Sequence, residues 1–124
     1  MDSSTLDAFD ATQRKSFQLL SRAVTTLREG MTEAELDQEV RAMAKGMGFD
    51  SWFHPPEIQF GQRTTSNAVW KIPSKTNTLR QGDLVVLDLG PSEANAYGDV
   101  GTTICFGSDE PPVLEVSREC VRAT

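Results

Sequence analysis

The segment from Gly82 to Gly107 constrains the fold of this chain more than any other part of its sequence. Its first part, Asp83–Gly90, reads Asp-Leu-Val-Val-Leu-Asp-Leu-Gly and is apolar on both faces apart from its two aspartates, which predicts a central β-strand. Its last part, Tyr97–Phe106, is rich in Thr, Val, Ile and Phe and predicts the partner strand. Residues 91–96 between them are predicted to form a loop. We therefore expect a sheet whose central strand carries an acidic side chain, Asp88.

Two amphipathic helices are predicted before this segment. The first covers residues 6–28, where apolar residues recur at spacings of three and four, and it ends near Gly30, a residue type favoured in left-handed C-terminal caps. The second covers residues 32–47 and begins with a capping box formed by Thr32 and Glu35. We interpret both apolar stripes as core-packing surfaces; they consist of Phe17, Leu20, Val24 and Leu27 in the first helix, and of Leu36, Val40, Met43 and Met47 in the second.

The remaining segments complete an α+β prediction. Asp50–Gly61 contains two consecutive prolines and predicts a loop that leads into a short strand, because proline disfavours helix at the preceding residue. Residues 67–70 are a possible strand, and residues 113–124 predict the first turns of a C-terminal helix. We expect a single domain over residues 1–124, in which two N-terminal helices pack on a small, mostly antiparallel sheet spanning about residues 52–106.

Composition excludes several classes of function. Eighteen acidic against 12 basic residues give a net charge of −6, which argues against a protein that grips a nucleic-acid backbone. The longest aliphatic run, Leu84–Leu87, is far shorter than the roughly 20 residues of a membrane helix. The N-terminus resembles no secretory signal. Cys105 and Cys120 form no metal or disulfide pattern, so we expect two free thiols in a cytoplasmic protein, with Cys105 in a packing role.

Asp88 and Asp99 are the residues that most clearly suggest chemistry. They lie eleven positions apart, and pairing of their strands as a hairpin would bring the two carboxylates close together on one face. Adjacent carboxylates repel, and one takes up a proton unless a cation lies between them. One interpretation is that the pair forms half of a divalent-metal site with hard oxygen ligands. The alternative is that Asp88 accepts a hydrogen bond from the Thr102 or Thr103 hydroxyl, or caps a turn; the residues alone leave both open.

The same segment carries a family resemblance. Gly82–Pro91, Gly-Asp-Leu-Val-Val-Leu-Asp-Leu-Gly-Pro, and Tyr97–Gly107, Tyr-Gly-Asp-Val-Gly-Thr-Thr-Ile-Cys-Phe-Gly, resemble the metal-binding strands of the pita-bread metallopeptidases. These are the methionine aminopeptidases, prolidases, aminopeptidase P enzymes and creatinase relatives. The Asp-Leu-Gly-Pro sequence is closer to the prolidase and aminopeptidase P side. The resemblance extends from about residue 6 onward and includes the Gly-Met-Thr-Glu-x-Glu-Leu start of the second helix and the Phe-Gly-x-x-Thr stretch at residues 60–64.

The resemblance implies roles for three residues. Asp88 matches the first carboxylate ligand of a dinuclear site, Asp99 matches the second, which bridges both ions, and Thr103 matches the threonine beside the site. The implied cofactors are two divalent ions, with Mn, Co, Zn and Fe not distinguished. In such sites the metals activate a water for removal of an N-terminal residue or for cleavage of a dipeptide, often next to proline. No side chain of this chain is assigned a catalytic role.

Two positions depart from the family pattern and one histidine is unassigned. Thr102 replaces an arginine, and Trp70 or Lys71 stands where many relatives carry a substrate-facing histidine. His54 is the only histidine in the sequence and lies in a Phe-His-Pro-Pro segment. We interpret His54 as a surface or packing residue in preference to a ligand or a proton shuttle. His54 and Trp70 are the candidate contacts with substrate.

The resemblance covers only the first of two pseudo-symmetric halves. The family's remaining ligands, a histidine and two glutamates, belong to the second half, beyond residue 124. We therefore expect the N-terminal part of a metal-dependent aminopeptidase or prolidase-like hydrolase that is inactive alone. The alternative is a non-catalytic, pita-bread-type module that binds a peptide or a protein. The expected partners are a peptide or dipeptide substrate and either a second copy in a homodimer or a missing C-terminal half; no nucleic acid or membrane is expected.

Overall fold

The computed structural model describes residues 3–65 and 72–107, and these residues form an α+β arrangement. The predicted strand at residues 67–70 and the predicted helix at residues 113–124 lie outside this range. Within it, the elements in chain order are α1 (Ser3–Thr25), α2 (Glu33–Gly46), β1 (Ser51–Phe60), a 3₁₀ turn (Gly61–Thr65), β2 (Leu84–Glu93), β3 (Ala96–Tyr97) and β4 (Val100–Cys105).

Strand β2 lies at the centre of the sheet. It pairs antiparallel with β1 on one side and with β3 and β4 on the other. Alternate residues of β2, namely Val85, Leu87 and Leu89, are fully buried and belong to the same core as residues of both helices. Because side chains alternate across a strand, Val86 and Asp88 point to the opposite face. The prediction that Asp88 lies on a central strand of a mostly antiparallel sheet is confirmed.

Helix α1 ends earlier than predicted. Its last residue is Thr25, whereas the periodicity predicts helix to residue 28. The hydroxyls of Thr25 and Thr26 donate hydrogen bonds of 2.6 and 2.8 Å to the carbonyls three residues before each of them, which draws the chain out of the regular ladder. Gly30 follows the turn with φ of +90°, the left-handed conformation that its residue type predicts.

Helix α2 has both of its predicted ends. The Thr32 hydroxyl accepts a hydrogen bond of 3.1 Å from the backbone N–H of Glu35, which confirms the N-terminal cap. At the other end Gly48 has φ of +95°. The N–H of Phe49 donates to the carbonyl of Ala44, and the N–H of Gly48 donates to that of Lys45, the bond pattern of a Schellman cap.

Strands β1 and β2 are longer than predicted. β1 begins at Ser51 and runs through both prolines, where the sequence predicts a loop first. Two register shifts flank His54. Among the described residues β1 is an edge strand, so the prolines, which lack an N–H group, do not remove hydrogen bonds from the interior of the sheet. β2 continues to Glu93, which leaves a two-residue turn at residues 94–95 instead of the predicted loop over residues 91–96.

A buried carboxylate joins α2 to the segments around the sheet. Glu33 is 0% exposed. Its oxygens accept hydrogen bonds of 2.9 Å from the backbone N–H of Phe60, the Arg63 guanidinium and the backbone N–H of Ser74, and one of 3.3 Å from the Asn77 amide. This network fixes the end of β1 and the segment that leads into β2.

Candidate metal centre

Asp88 reaches its position from the middle of β2. Across the ladder it faces Glu57 of β1 on one side and Gly101 of β4 on the other. Its side chain is 30% exposed on the face that points away from the helices. A strand buried on one face and paired on both sides holds this carboxylate in a narrow range of positions.

Asp99 is held through its backbone rather than by a strand. It lies between β3 and β4, whereas the sequence predicts one continuous strand over Tyr97–Phe106. The Gln13 side chain of α1 accepts a hydrogen bond of 2.9 Å from the Asp99 N–H and donates one of 3.0 Å to the Asp99 carbonyl. The adjacent Gly98 permits this approach, because a Cβ there would lie 2.6 Å from the Ser16 Cβ.

His54 completes a group of three possible ligands. Its Nε2 atom lies 3.5 Å from the Asp88 Oδ1 and 3.6 Å from the Asp99 Oδ1. One donor atom from each of the three residues lies within 4.8 Å of the others. The sequence favours a surface or packing role for His54, but its ring lies between the two aspartates. Its predicted contact with substrate stays a prediction.

The environment shifts the pKa values of two members of this group. Burial raises the pKa of Asp88 to about 6, a positive His54 opposes the shift, and the neighbouring charges of Glu57 and Asp99 add to it. Burial lowers the pKa of His54, but a hydrogen bond to the Pro55 carbonyl and the charges of the two aspartates outweigh burial, so the net pKa is raised. At 3.6 Å, the contact of His54 with Asp99 is electrostatic and longer than a hydrogen bond.

The donor set fits a divalent transition-metal ion. Two carboxylate oxygens and one imidazole nitrogen are hard and intermediate ligands of the kind such ions accept. Donors bound at about 2.1 Å in a tetrahedral arrangement lie about 3.4 Å apart, close to the 3.5 and 3.6 Å separations of His54 from the two aspartates. A cation would also relieve the repulsion among Asp88, Asp99 and Glu57.

Strand alternation separates the two threonines that follow Asp99. Thr103 pairs with Val86, two residues from Asp88 on β2, so it lies on the Asp88 face; its place beside a metal site stays a prediction. Thr102 pairs with Leu87 and is 1% exposed, so its side chain lies on the core face. The residue that stands in place of the family arginine therefore faces the core in this chain.

The other residues singled out in the sequence are not part of the cluster formed by His54, Asp88 and Asp99. Trp70, the second candidate for substrate contact, and Cys120 lie outside the described residues. The packing role predicted for Cys105 is wrong: its side chain is exposed at the end of β4, with the Sγ atom 3.7 Å from the Gly82 carbonyl. None of the helices in residues 3–65 and 72–107 combines the length and apolar character of a membrane span.

Two further residues that shape the site were not predicted from the sequence. Gln13 holds the Asp99 backbone from 86 positions away, and no local pattern marks it. Gly90 lies beside His54, because a Cβ at residue 90 would lie 2.7 Å from the His54 Nε2. The sequence Asp-Leu-Gly marks Gly90 as a position where another group can approach the backbone closely. Only the pairing of Gly90 with His54 shows that this group is the imidazole ring.

Asp88, Asp99 and His54 form, on an α+β scaffold, a cluster of side chains that could hold a metal ion. A family model for metallopeptidase family M24 matches residues 7–124, and the chain belongs to this family. The predicted resemblance to the pita-bread metallopeptidases is confirmed. A comparison with curated proteins gives no significant match.

Solved structures agree with this assignment of the fold. A prolidase from Thermococcus sibiricus is 26% identical, with a TM-score of 0.76 over 98% of this chain and 32% of its own. The prolidase from Pyrococcus horikoshii OT3 is 23% identical, with a TM-score of 0.78; the match covers 95% of this chain and 32% of that prolidase. An X-Pro aminopeptidase from Thermotoga maritima MSB8 is 19% identical, with a TM-score of 0.76; the match covers 95% of this chain and 32% of that aminopeptidase. The chain thus spans about a third of the length of these proteins.

Proposed function

We propose that this chain contributes Asp88 and Asp99 to the divalent-metal site of a prolidase- or aminopeptidase P-like hydrolase. The observation that carries the proposal is the convergence of these two carboxylates, from β2 and from the turn before β4, in a chain that matches metallopeptidase family M24. The proposed substrate is a peptide or dipeptide whose N-terminal residue is removed, with proline next to the cleaved bond as the favoured case.

The residues of this chain would hold and orient the ions. Asp88 is fixed by β2, and Asp99 is fixed by the two Gln13 hydrogen bonds. Thr103 lies on the same face of the sheet. Divalent ions at such a site supply the activation of a water molecule and stabilisation of the negative charge that develops on the substrate.

The family's other ligands, a histidine and two glutamates, would come from residues beyond these 124. We therefore propose that the 124-residue chain binds divalent ions weakly and has little or no peptidase activity alone. Hydrolysis of Xaa-Pro dipeptides by the purified chain, abolished by Asp88→Ala, would contradict this part of the proposal.

Calorimetric titration with Mn²⁺, Co²⁺ and Zn²⁺ tests the site itself. We expect measurable binding that Asp88→Asn reduces by at least about tenfold, because the substitution removes one charged ligand. Asp10→Asn is the matched control: it makes the same change at a 61% exposed aspartate that pairs with Arg14 on α1, and it should leave affinity unchanged. Equal affinity in the wild type and in Asp88→Asn would instead favour the non-catalytic binding module.

A further inference from the structure

We infer that His54 is itself a ligand of the metal ion held by Asp88 and Asp99. The inference rests on the proposed metal site and adds a nitrogen donor from the same chain to its two carboxylates. Three independent features of the structure support it: the position of the ring, the direction of its free electron pair, and the glycine on which it lies.

The position of the ring is symmetric with respect to the two carboxylates. Nε2 lies 3.5 Å from one aspartate oxygen and 3.6 Å from the other. Register shifts on either side of His54 in β1 turn this residue out of the regular ladder, and irregularities of this kind re-aim side chains beside functional sites. The ring of Phe53 packs edge-on against it at 6.2 Å between centroids.

The tautomer of the neutral ring follows from its other nitrogen. Nδ1 lies 2.9 Å from the Pro55 carbonyl, and a carbonyl oxygen only accepts hydrogen bonds, so Nδ1 carries the proton. The neutral imidazole then has its lone pair on Nε2, directed toward Asp88 and Asp99. Metal-binding histidines commonly donate their second ring N–H to a backbone carbonyl or a carboxylate, which fixes the ring and its tautomer.

Three electron-rich atoms facing one another require a positive charge between them. Ionised aspartates have no proton to donate, so they give no hydrogen bond to the Nε2 lone pair. A proton on Nε2 or on one of the aspartates, or a metal ion among the three donors, satisfies the arrangement. A divalent ion does so for all three residues at once.

Gly90 makes this position of the ring possible. A Cβ at residue 90 would lie 2.7 Å from Nε2 and 2.9 Å from Cγ of His54, closer than non-bonded carbon atoms approach. A side chain here would push the imidazole away from the aspartates while leaving the histidine in the chain. Gly90→Ala therefore tests the placement of the ring separately from its presence.

The experiment uses the fact that the chain contains a single histidine. The tag-free chain is labelled with ¹⁵N in its imidazole ring and titrated with Zn²⁺ while the ring nitrogens are observed by NMR. We expect the Nε2 resonance to shift with saturation at the calorimetric stoichiometry, while Nδ1 keeps its proton. His54→Gln should lower Zn²⁺ affinity at least about tenfold.

The glycine variant completes a double-mutant cycle. Gly90→Ala should lower Zn²⁺ affinity by a factor similar to that of His54→Gln, and the double variant should lose no more than either single variant. Gly46→Ala is the matched control, because a Cβ at Gly46 in α2 meets no atom within 4 Å; it should keep wild-type affinity. Circular dichroism checks folding, and the wild-type NMR titration decides even if Gly90→Ala does not fold.

The outcomes separate this inference from the proposed function. Zn²⁺ binding that depends on Asp88, with no shift of the Nε2 resonance and no loss in His54→Gln, overturns the role of His54 and leaves the metal site intact. Absence of any binding that depends on Asp88 overturns both. A shifted Nε2 resonance in the wild type, lost in Asp88→Asn, supports both.

Discussion

In the metal-free folded chain, the ionised Asp88 carboxylate is electrostatically destabilised. Burial and the nearby charges of Glu57 and Asp99 disfavour its ionised form, and only His54 opposes them. A group with this balance is more stable with a proton or a cation beside it. The residue best placed to bind a metal is therefore also a residue that weakens the fold when no cation is bound.

Stability of the metal-free chain should fall as pH rises. The pKa of Asp88 is raised from 3.8 to about 6 in the fold, so protonation stabilises the fold and this contribution is lost as pH rises through the folded value. The raised pKa of His54 acts in the same direction, because its stabilising protonation is also lost as pH rises. With the Asp88 side chain 30% exposed, we expect its share of the loss to be about 1–2 kcal/mol.

Urea unfolding with EDTA at about pH 5 and about pH 7.5 measures this dependence. Asp88→Asn removes the titrating group and should raise stability at the higher pH by about 1 kcal/mol, which flattens the pH profile. Asp10→Asn is again the control. If the free energy of unfolding of Asp88→Asn depends on pH as that of the wild type does, ionisation of Asp88 does not destabilise the fold.

At the scale of elements, Glu33 holds the helical layer and the sheet together. Its fully buried carboxylate accepts bonds from β1, from the 3₁₀ turn and from the segment before β2. A buried charge of this kind is tolerated because each oxygen is paired. Its network therefore links four segments that are separated by up to 44 positions.

Glu33→Gln should destabilise the chain by about 3 kcal/mol, because a neutral amide leaves the Arg63 charge without its partner and turns an N–H group toward backbone donors. Glu39→Gln is the matched control on the same helix. Glu39 is 35% exposed and pairs with Arg28 at the surface, so its loss should cost no more than about 0.5 kcal/mol. Urea unfolding compares the two; equal effects would mean that the buried network adds no stability.

Local rules predicted the elements whose ends are set by neighbouring residues. Thr32 and Gly48 set the ends of α2 through bonds that span three to five positions, and the apolar run of β2 indicates its central position. The path of β1 through two prolines was not predictable in this way, because its register shifts depend on pairing with β2. The early end of α1 at Thr25 results from side-chain bonds that periodicity does not register.

The same distinction applies to the candidate site. The spacing of Asp88 and Asp99 and the resemblance marked both residues. The place of His54 depends on the register of β1 against Gly90, and that of Asp99 depends on Gln13 of α1. Both are contacts between distant parts of the chain. A sequence pattern identified the carboxylates, and tertiary structure was needed to find what surrounds them.

At the scale of the whole molecule, the Asp88 face of the sheet has apolar residues at its margin. Leu84, on the same face of β2, is 48% exposed. Phe53 and Tyr97, whose rings stack at 4.2 Å, are 60% and 42% exposed. Exposed apolar residues that flank a polar centre are typical of surfaces that bind a partner. We propose that a second copy of this chain covers this face when the 124 residues are studied alone.

Such a dimer should depend on divalent cations. A two-fold arrangement through this face brings the acidic groups of both copies together, and their repulsion opposes association unless cations lie between them. Light scattering at tens of micromolar should show more dimer with Mn²⁺ than with EDTA. Leu84→Lys should reduce the dimer in both conditions, while Leu6→Lys, at a 55% exposed position on α1, should not. A chain that stays monomeric with Mn²⁺ at these concentrations would exclude the homodimer and leave a C-terminal half as the partner to test.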